Sequence, residues 1–179
     1  MISFRIEPVN LDEVARGLSG IPGALQKVTK RAIAKTLRLA KKDAKNLSKH
    51  RYTLPPSIVS KSLTTVNSGM SGVMTSRGER NPLEKAKVNP KKRIERRGKY
   101  IRAEVVRGQG DIIQKAFYKR SGGRIYERLT AKRFPIKRLK TLSAPQMLSH
   151  PTISTPLQNN IQANLSEIIL AEAARILGG

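Results

Sequence analysis

Apolar and polar residues alternate along "ISFRIEP" at residues 2–8 and stop at Pro8, the signature of a short strand. "NLDEVARGLSG" follows, with Asn10 as a candidate N-cap, acids in the first turn and glycines at its close, and predicts a short helix. The clearest periodicity lies in residues 22–50. Ile33, Leu37, Ala40, Ala44 and Leu47 recur at helical spacing, and Pro22 suits a first turn. Pro55 and Pro56 end that helix and open a one- or two-turn helix towards Leu63, and "TTVNSGMSGVMTSRG" reads as a loose hairpin. From residue 100 the period becomes that of strands: "YIRAEVVRG", "DIIQKAFYKR", "RIYERLT" and "RFPIKRL", broken by "GQG" and "RSGG", predict an antiparallel sheet over 100–140. Residues 155–177 predict a closing helix, with Thr155 as cap, Pro156 at its first position, and an apolar face of Leu157, Ile161, Leu165, Ile168, Ile169 and Ile176.

These elements predict an α+β fold. A long cationic amphipathic N-terminal helix and a C-terminal helix pack on an antiparallel sheet, with a basic extended loop or hairpin at 77–99. At 179 residues the chain fits one domain, 1–179, with an aliphatic core, because it has no Trp, three Phe and four Tyr.

Charge changes the picture. The formal net charge is +24, from 36 basic and 12 acidic residues. It is concentrated in the middle: residues 22–51 carry +9, 77–107 carry +8 and 115–140 carry +9, while 1–21 and 141–179 each carry −1. Such a chain repels itself unless counterions or a partner neutralise it, and nucleic acid is the first partner to consider. On the long helix, Lys27, Arg31, Lys35, Arg38, Lys42, Lys45 and Lys49 form a stripe. At about 100° per residue Lys35 lies about 200° from Ile33, so the stripe faces away from the apolar side. It is either a solvated face or a contact for DNA or an acidic partner. Its scarcity of acids favours the contact, since solvated helices usually mix signs. Lys91, Lys92, Arg93, Arg96 and Arg97 supply a second candidate contact within 77–99, a segment expected to become ordered only on its partner.

Catalytic patterns are missing. There is no cysteine, His50 and His150 stand in dissimilar contexts, and the acids form no motif. P-loop, dinucleotide, GxSxG and HExxH patterns do not occur. Glu84, Glu95 and Glu104 sit among cations, as charge-balancing residues do. No cofactor, metal site, small-molecule substrate or membrane partner is expected, and "MISFRIEPVN" does not read as a secretory signal. Tyr118 and Tyr126 lie among cations and are either base-stacking groups or hairpin core.

One stretch carries a resemblance. Ala116 and Phe117, Gly122 and Gly123, then Arg133, Pro135, Ile136 and Leu139, then Ser143, Pro145, Gln146 and Met147 resemble the phage minor tail protein Z family, the tail-completion proteins of long-tailed phages. Relatives often have Gly-Pro-Ser before the Pro-Gln-Met step, where this chain has Thr141-Leu142-Ser143-Ala144. The resemblance implies a virion protein at the head-proximal end of the tail, made in the host cytoplasm during assembly. Its implied partners are copies of itself in a ring of about six, the tail tube or tail terminator, the head–tail connector, and genome DNA held without sequence readout. "RFPIKRL" would be a cationic strand, with Pro135 at an edge or strand start, and "LSAPQML" would hand the chain to the last helix. Two rivals remain. One is a nonspecific nucleic-acid-binding protein, whose affinity should fall about 10³-fold or more between 50 and 200 mM salt if it contacts six or more phosphates. The other is a small nuclease or toxin, which needs a metal cluster absent from these patterns.

Overall fold

The computed structural model describes residues 1–8, 11–91, 100–119 and 123–178. The fold is α+β: among the described residues, five α-helices accompany nine strands arranged in three antiparallel three-stranded sheets.

β1 (Ile2–Ile6) buries Phe4 and Ile6 and exposes Ser3 and Arg5. In α1 (Asp12–Gly17) the N-cap position belongs to Leu11 and has no side-chain cap; the expected cap, Asn10, lies outside the described residues. α2 (Ala24–Arg51) starts later than Pro22 suggested. Gly23 stands at φ 70°, a left-handed conformation that cannot continue into the helix, so Pro22 is left in the preceding turn. α3 (Ser57–Ser62) follows the two prolines. β2 (Leu63–Asn67) and β3 (Gly72–Ser76) form an antiparallel hairpin, and β1 pairs along the other side of β3. α2 lies against this sheet at Gly72. A Cβ there would stand 2.6 Å from Ile33 Cγ2 and 3.3 Å from Leu37 Cδ1, so the absence of a side chain lets helix and strand approach.

Of the basic loop or hairpin expected over 77–99, the described part, 77–91, lies against the rest of the fold. The Asn81 side chain donates to the Leu142 carbonyl at 2.8 Å, and the Thr141 amide donates to the Asn81 carbonyl at 2.6 Å. Leu83 and Val88 are buried, and β4 (Lys87–Asn89) pairs with β5 (Ile101–Val106). Apolar anchors outweigh the local charge here. Residues 92–99 lie outside the described residues.

The single sheet expected over 100–140 is instead two. β5 also pairs with β6 (Gln109–Ile113), while β7 (Ala116–Tyr118), β8 (Ile125–Arg128) and β9 (Ile136–Arg138) form a separate sheet. The strand expected over 111–120 is interrupted at Lys115, whose φ of 61° breaks the extended backbone. Of "GQG", only Gly108 precedes the strand, since Gln109 and Gly110 belong to β6. Pro135 stands just before edge strand β9, where a missing N–H costs no ladder bond.

α4 (Ala144–Ser149) occupies the stretch "LSAPQML" expected to lead the chain to the last helix. α5 (Pro151–Leu177) begins before Thr155 and Pro156, both of which lie inside it. His150 is the N-cap, its ring accepting from the Thr152 amide at 3.2 Å, and Pro151 takes the first position, so an earlier start signal prevails.

The main core joins α2, α5, the short helices α3 and α4, and the first sheet. A smaller cluster of Leu83, Val88, Ile101, Ala103, Tyr118 and Ile125 serves the other two sheets. The two long helices therefore pack chiefly on each other and on the first sheet; of the 100–140 strands, β5 reaches this core through Val105 and Val106. The helices run antiparallel against each other: Lys35 meets Glu172, Asp43 meets Asn160, and Arg51 meets Thr152. The first sheet supplies their floor, because Phe4, Ile6 and Met74 project into the same core.

Candidate functional site

The cationic stripe of α2 is built by its period. Ile33, Leu37, Ala40 and Ala44 are buried, while Lys27, Arg31, Lys35, Arg38, Lys42, Lys45 and Lys49 are all exposed on the other side. The stripe then divides according to its neighbours.

On the α5 side, one carboxylate gathers cations. Glu172 occupies the apolar face of α5, one turn beyond Ile169, and is 2% exposed. Lys35 Nζ donates to its Oε1, Arg31 Nη1 lies 3.9 Å from Oε2, and Arg175 Nη1 lies 3.8 Å from Oε1. The hydrogen bond from Lys35 holds the Glu172 carboxyl below its ordinary value of 4.5; burial opposes this, and the charges of Lys35, Arg175 and Arg31 reinforce it. Arg31 and Lys35, both expected to contact a polyanion, are thereby engaged in fastening α2 to α5. Glu172 was not singled out from the sequence. The available signal was an acid falling in step with Leu157, Ile161, Leu165 and Ile169.

The rest of the stripe has no such partner. Among the described residues, Lys27, Arg38, Lys42, Lys45 and Lys49 form no ion pair. Arg38 and the half-buried Lys41 line a depression between α2 and β2, floored by Thr65 and Asn67. One turn further on, Lys45 and Lys49 line a second depression of about 560 Å³ with Pro56, Ser57, Ser60 and Lys61. Cations recur here at each helical turn, a rise of about 5.4 Å, along an open wall.

The second expected contact group is reached only at Lys91, which is exposed; Lys92, Arg93, Arg96 and Arg97 lie outside the described residues. The acids in this region balance charge. Glu104 accepts from Lys87 Nζ at 2.7 Å and from the Gly108 amide at 3.0 Å, which hold its carboxyl below the ordinary value. Glu84 pairs with Arg138. Glu95 lies outside the described residues. Tyr118 is core: its hydroxyl donates to the Pro90 carbonyl at 2.5 Å, and burial, with the Glu84 charge adding, raises its pKa. Tyr126 faces Phe117 across the β7–β8 pair at 6.4 Å, and the Arg128 guanidinium stands 5.3 Å from the Phe117 ring centre. The aromatic groups thus hold the hairpin together.

The motif residues also have structural work. Arg133 lies 5.7 Å over the exposed Phe134 ring. Pro135 and Ile136 lead into β9, and the Leu139 amide donates to the Ile125 carbonyl at 3.0 Å. Gly123 stands at φ 60°; Gly122 lies outside the described residues. Ser143 and Gln146 form a reciprocal capping box at the start of α4, which buries Pro145 and Met147.

Among the described residues no group of three His, Asp or Glu side chains is placed to hold a metal ion, and no helix is long and apolar enough to cross a membrane. No family model, curated protein or solved structure matches the chain.

Proposed function

We propose that this chain is a non-enzymatic structural protein of a long-tailed phage, acting at the head-proximal end of the tail in tail completion and head–tail joining. The observation that carries the reading is the fate of the α2 cations. Arg31 and Lys35 meet a single internal carboxylate, while Arg38, Lys42, Lys45 and Lys49 stand outward without an acid among the described residues. A chain of net charge +24 that keeps its cations outward is suited to neutralisation from outside, by DNA phosphates or by acidic neighbouring subunits. The tail setting is supported by the resemblance across residues 115–148. In a ring, each copy would repeat the cationic face around a channel, holding phosphates without reading bases.

The same outward cations support a second reading, a nonspecific nucleic-acid-binding protein that acts outside any particle. Mass spectrometry of purified particles separates the two. The tail reading expects this chain in the particle at a fixed copy number relative to the tail tube. Its absence from particles, with DNA binding retained, would leave the second reading.

A further inference from the structure

The second depression does not end at α3. Lys61 lines it from one side and, from the other, lines a neighbouring depression of about 360 Å³ that is walled by Arg77, Arg80 and Lys85. α3 lies between them, with Ser57 and Ser60 lining one and Ile58 and Ser62 the other. Three segments thus contribute six cations, Lys45, Lys49, Lys61, Arg77, Arg80 and Lys85, to a strip of two adjoining depressions that share Lys61. All six are exposed, and none forms an ion pair among the described residues. Among the described residues the single acid lining the strip, Glu79, lies 3.8 Å from Lys140.

We infer that this strip is a binding groove for the phosphate backbone of duplex DNA. Its make-up favours DNA over an acidic protein. Protein interfaces are organised around desolvated apolar or aromatic anchors. Among the described residues, the large exposed apolar side chains, such as Leu129, Phe134, Ile112 and Leu170, all lie outside both depressions. What the strip offers is ammonium and guanidinium donors interleaved with hydroxyls, a surface that neutralises phosphates and leaves base edges unread. Arg77, Arg80 and Lys85 share one segment, and the packing of α3 beside it brings them next to Lys61, which in turn borders Lys45 and Lys49 of α2. The inference rests on the proposed function for the choice of duplex DNA as the polyanion, with the genome as its source.

The test is fluorescence anisotropy of the full chain with a mixed-sequence 30-base-pair duplex across a salt series. Two variants accompany the native chain. One carries Lys61→Gln, Arg77→Gln, Arg80→Gln and Lys85→Gln; the other carries Lys30→Gln, Lys119→Gln, Lys132→Gln and Lys137→Gln, equal in charge and also at exposed positions. Thermal melts establish that both fold. The native chain should bind in the nonspecific range, with a Kd of about 10⁻⁵ M at physiological salt, and the strip variant should flatten the log–log salt slope by about 3 to 4, from roughly 0.9 per phosphate lost. The control variant should change it by less than about 1. Equal flattening by both variants would overturn the groove in favour of diffuse charge. Polyglutamate displacing the duplex at a lower charge concentration than competitor duplex does would overturn it in favour of an acidic protein partner. A groove-dependent slope in a chain absent from particles would remove the tail reading and keep the groove; a chain present in particles without that slope would do the reverse.

Discussion

Lys35 on α2 donates a hydrogen bond to Glu172 on α5, joining a half-exposed ammonium to a carboxylate that is 2% exposed. These residues lie 137 positions apart, and their contact fixes how the two long helices face each other. Replacing the acid by Glu172→Gln leaves Arg31, Lys35 and Arg175 facing one another with no charge to share. Because Lys35 and Arg31 retain solvent, the loss is moderate: Tm should fall by about 3 °C in scanning fluorimetry at neutral pH.

The same pair sets a pH dependence. A carboxyl depressed in the folded state contributes stability that is fully present above its ordinary value of 4.5 and is lost as pH falls through the lower folded value. The Tm gap between the native chain and Glu172→Gln should therefore be steady well above the ordinary value of 4.5 and shrink progressively as pH falls below it. A gap independent of pH would show that Glu172 acts through packing alone.

Gly72 makes a second, independent prediction. Gly72→Ala drives a methyl against Ile33 Cγ2, whose position is fixed by a branched side chain within the core. The cost should be about 1–3 kcal/mol by denaturant unfolding. Combining it with Ile33→Ala should cost less than the sum of the two single changes, by at least about 0.5 kcal/mol. Additive losses would mean that helix and strand do not meet there.

The capping box of α4 is a third. Ser143→Ala removes the hydroxyl facing the Gln146 amide at 3.4 Å and should cost about 1 kcal/mol, seen as a Tm fall of about 3 °C. DNA binding should be unaffected, because Ser143 is buried and lines neither of the two depressions of the strip.

The two fates of the α2 cations give a crossed prediction. Lys45→Gln with Lys49→Gln should flatten the DNA salt slope by about 2 and leave Tm within about 2 °C of native. Arg31→Gln with Lys35→Gln should lower Tm, since buried Glu172 is left with Arg175 at 3.8 Å as its cationic partner, and should move the slope by less than about 1. If both pairs change slope and Tm alike, the division of the stripe is wrong.

Much of this fold is legible in residue spacing. The Ile33–Leu37–Ala40–Ala44 series of α2 and the Leu157–Ile161–Leu165–Ile169 series of α5 each mark a buried helix face, and both are buried. Local rivalry hid other features. His150 and Pro151 start α5 ahead of the equally plausible Thr155 and Pro156, and Lys115 divides what reads as one strand by a backbone angle that no side-chain pattern signals. The site was legible only in part. The α2 stripe follows from a period within one helix. Its division by Glu172, and its extension through Lys61, Arg77, Arg80 and Lys85, depend on contacts between distant segments, and periodicity carries no information about those.

The most direct measurement is negative-stain imaging, with plaque counts, of particles formed from the encoding genome when this gene is deleted. The account predicts filled heads and tails that fail to join, or that join without infecting, and recovery when the gene is supplied in trans. Normal, infectious particles would contradict it and leave the outward cations of α2 to a nucleic-acid-binding role outside the virion.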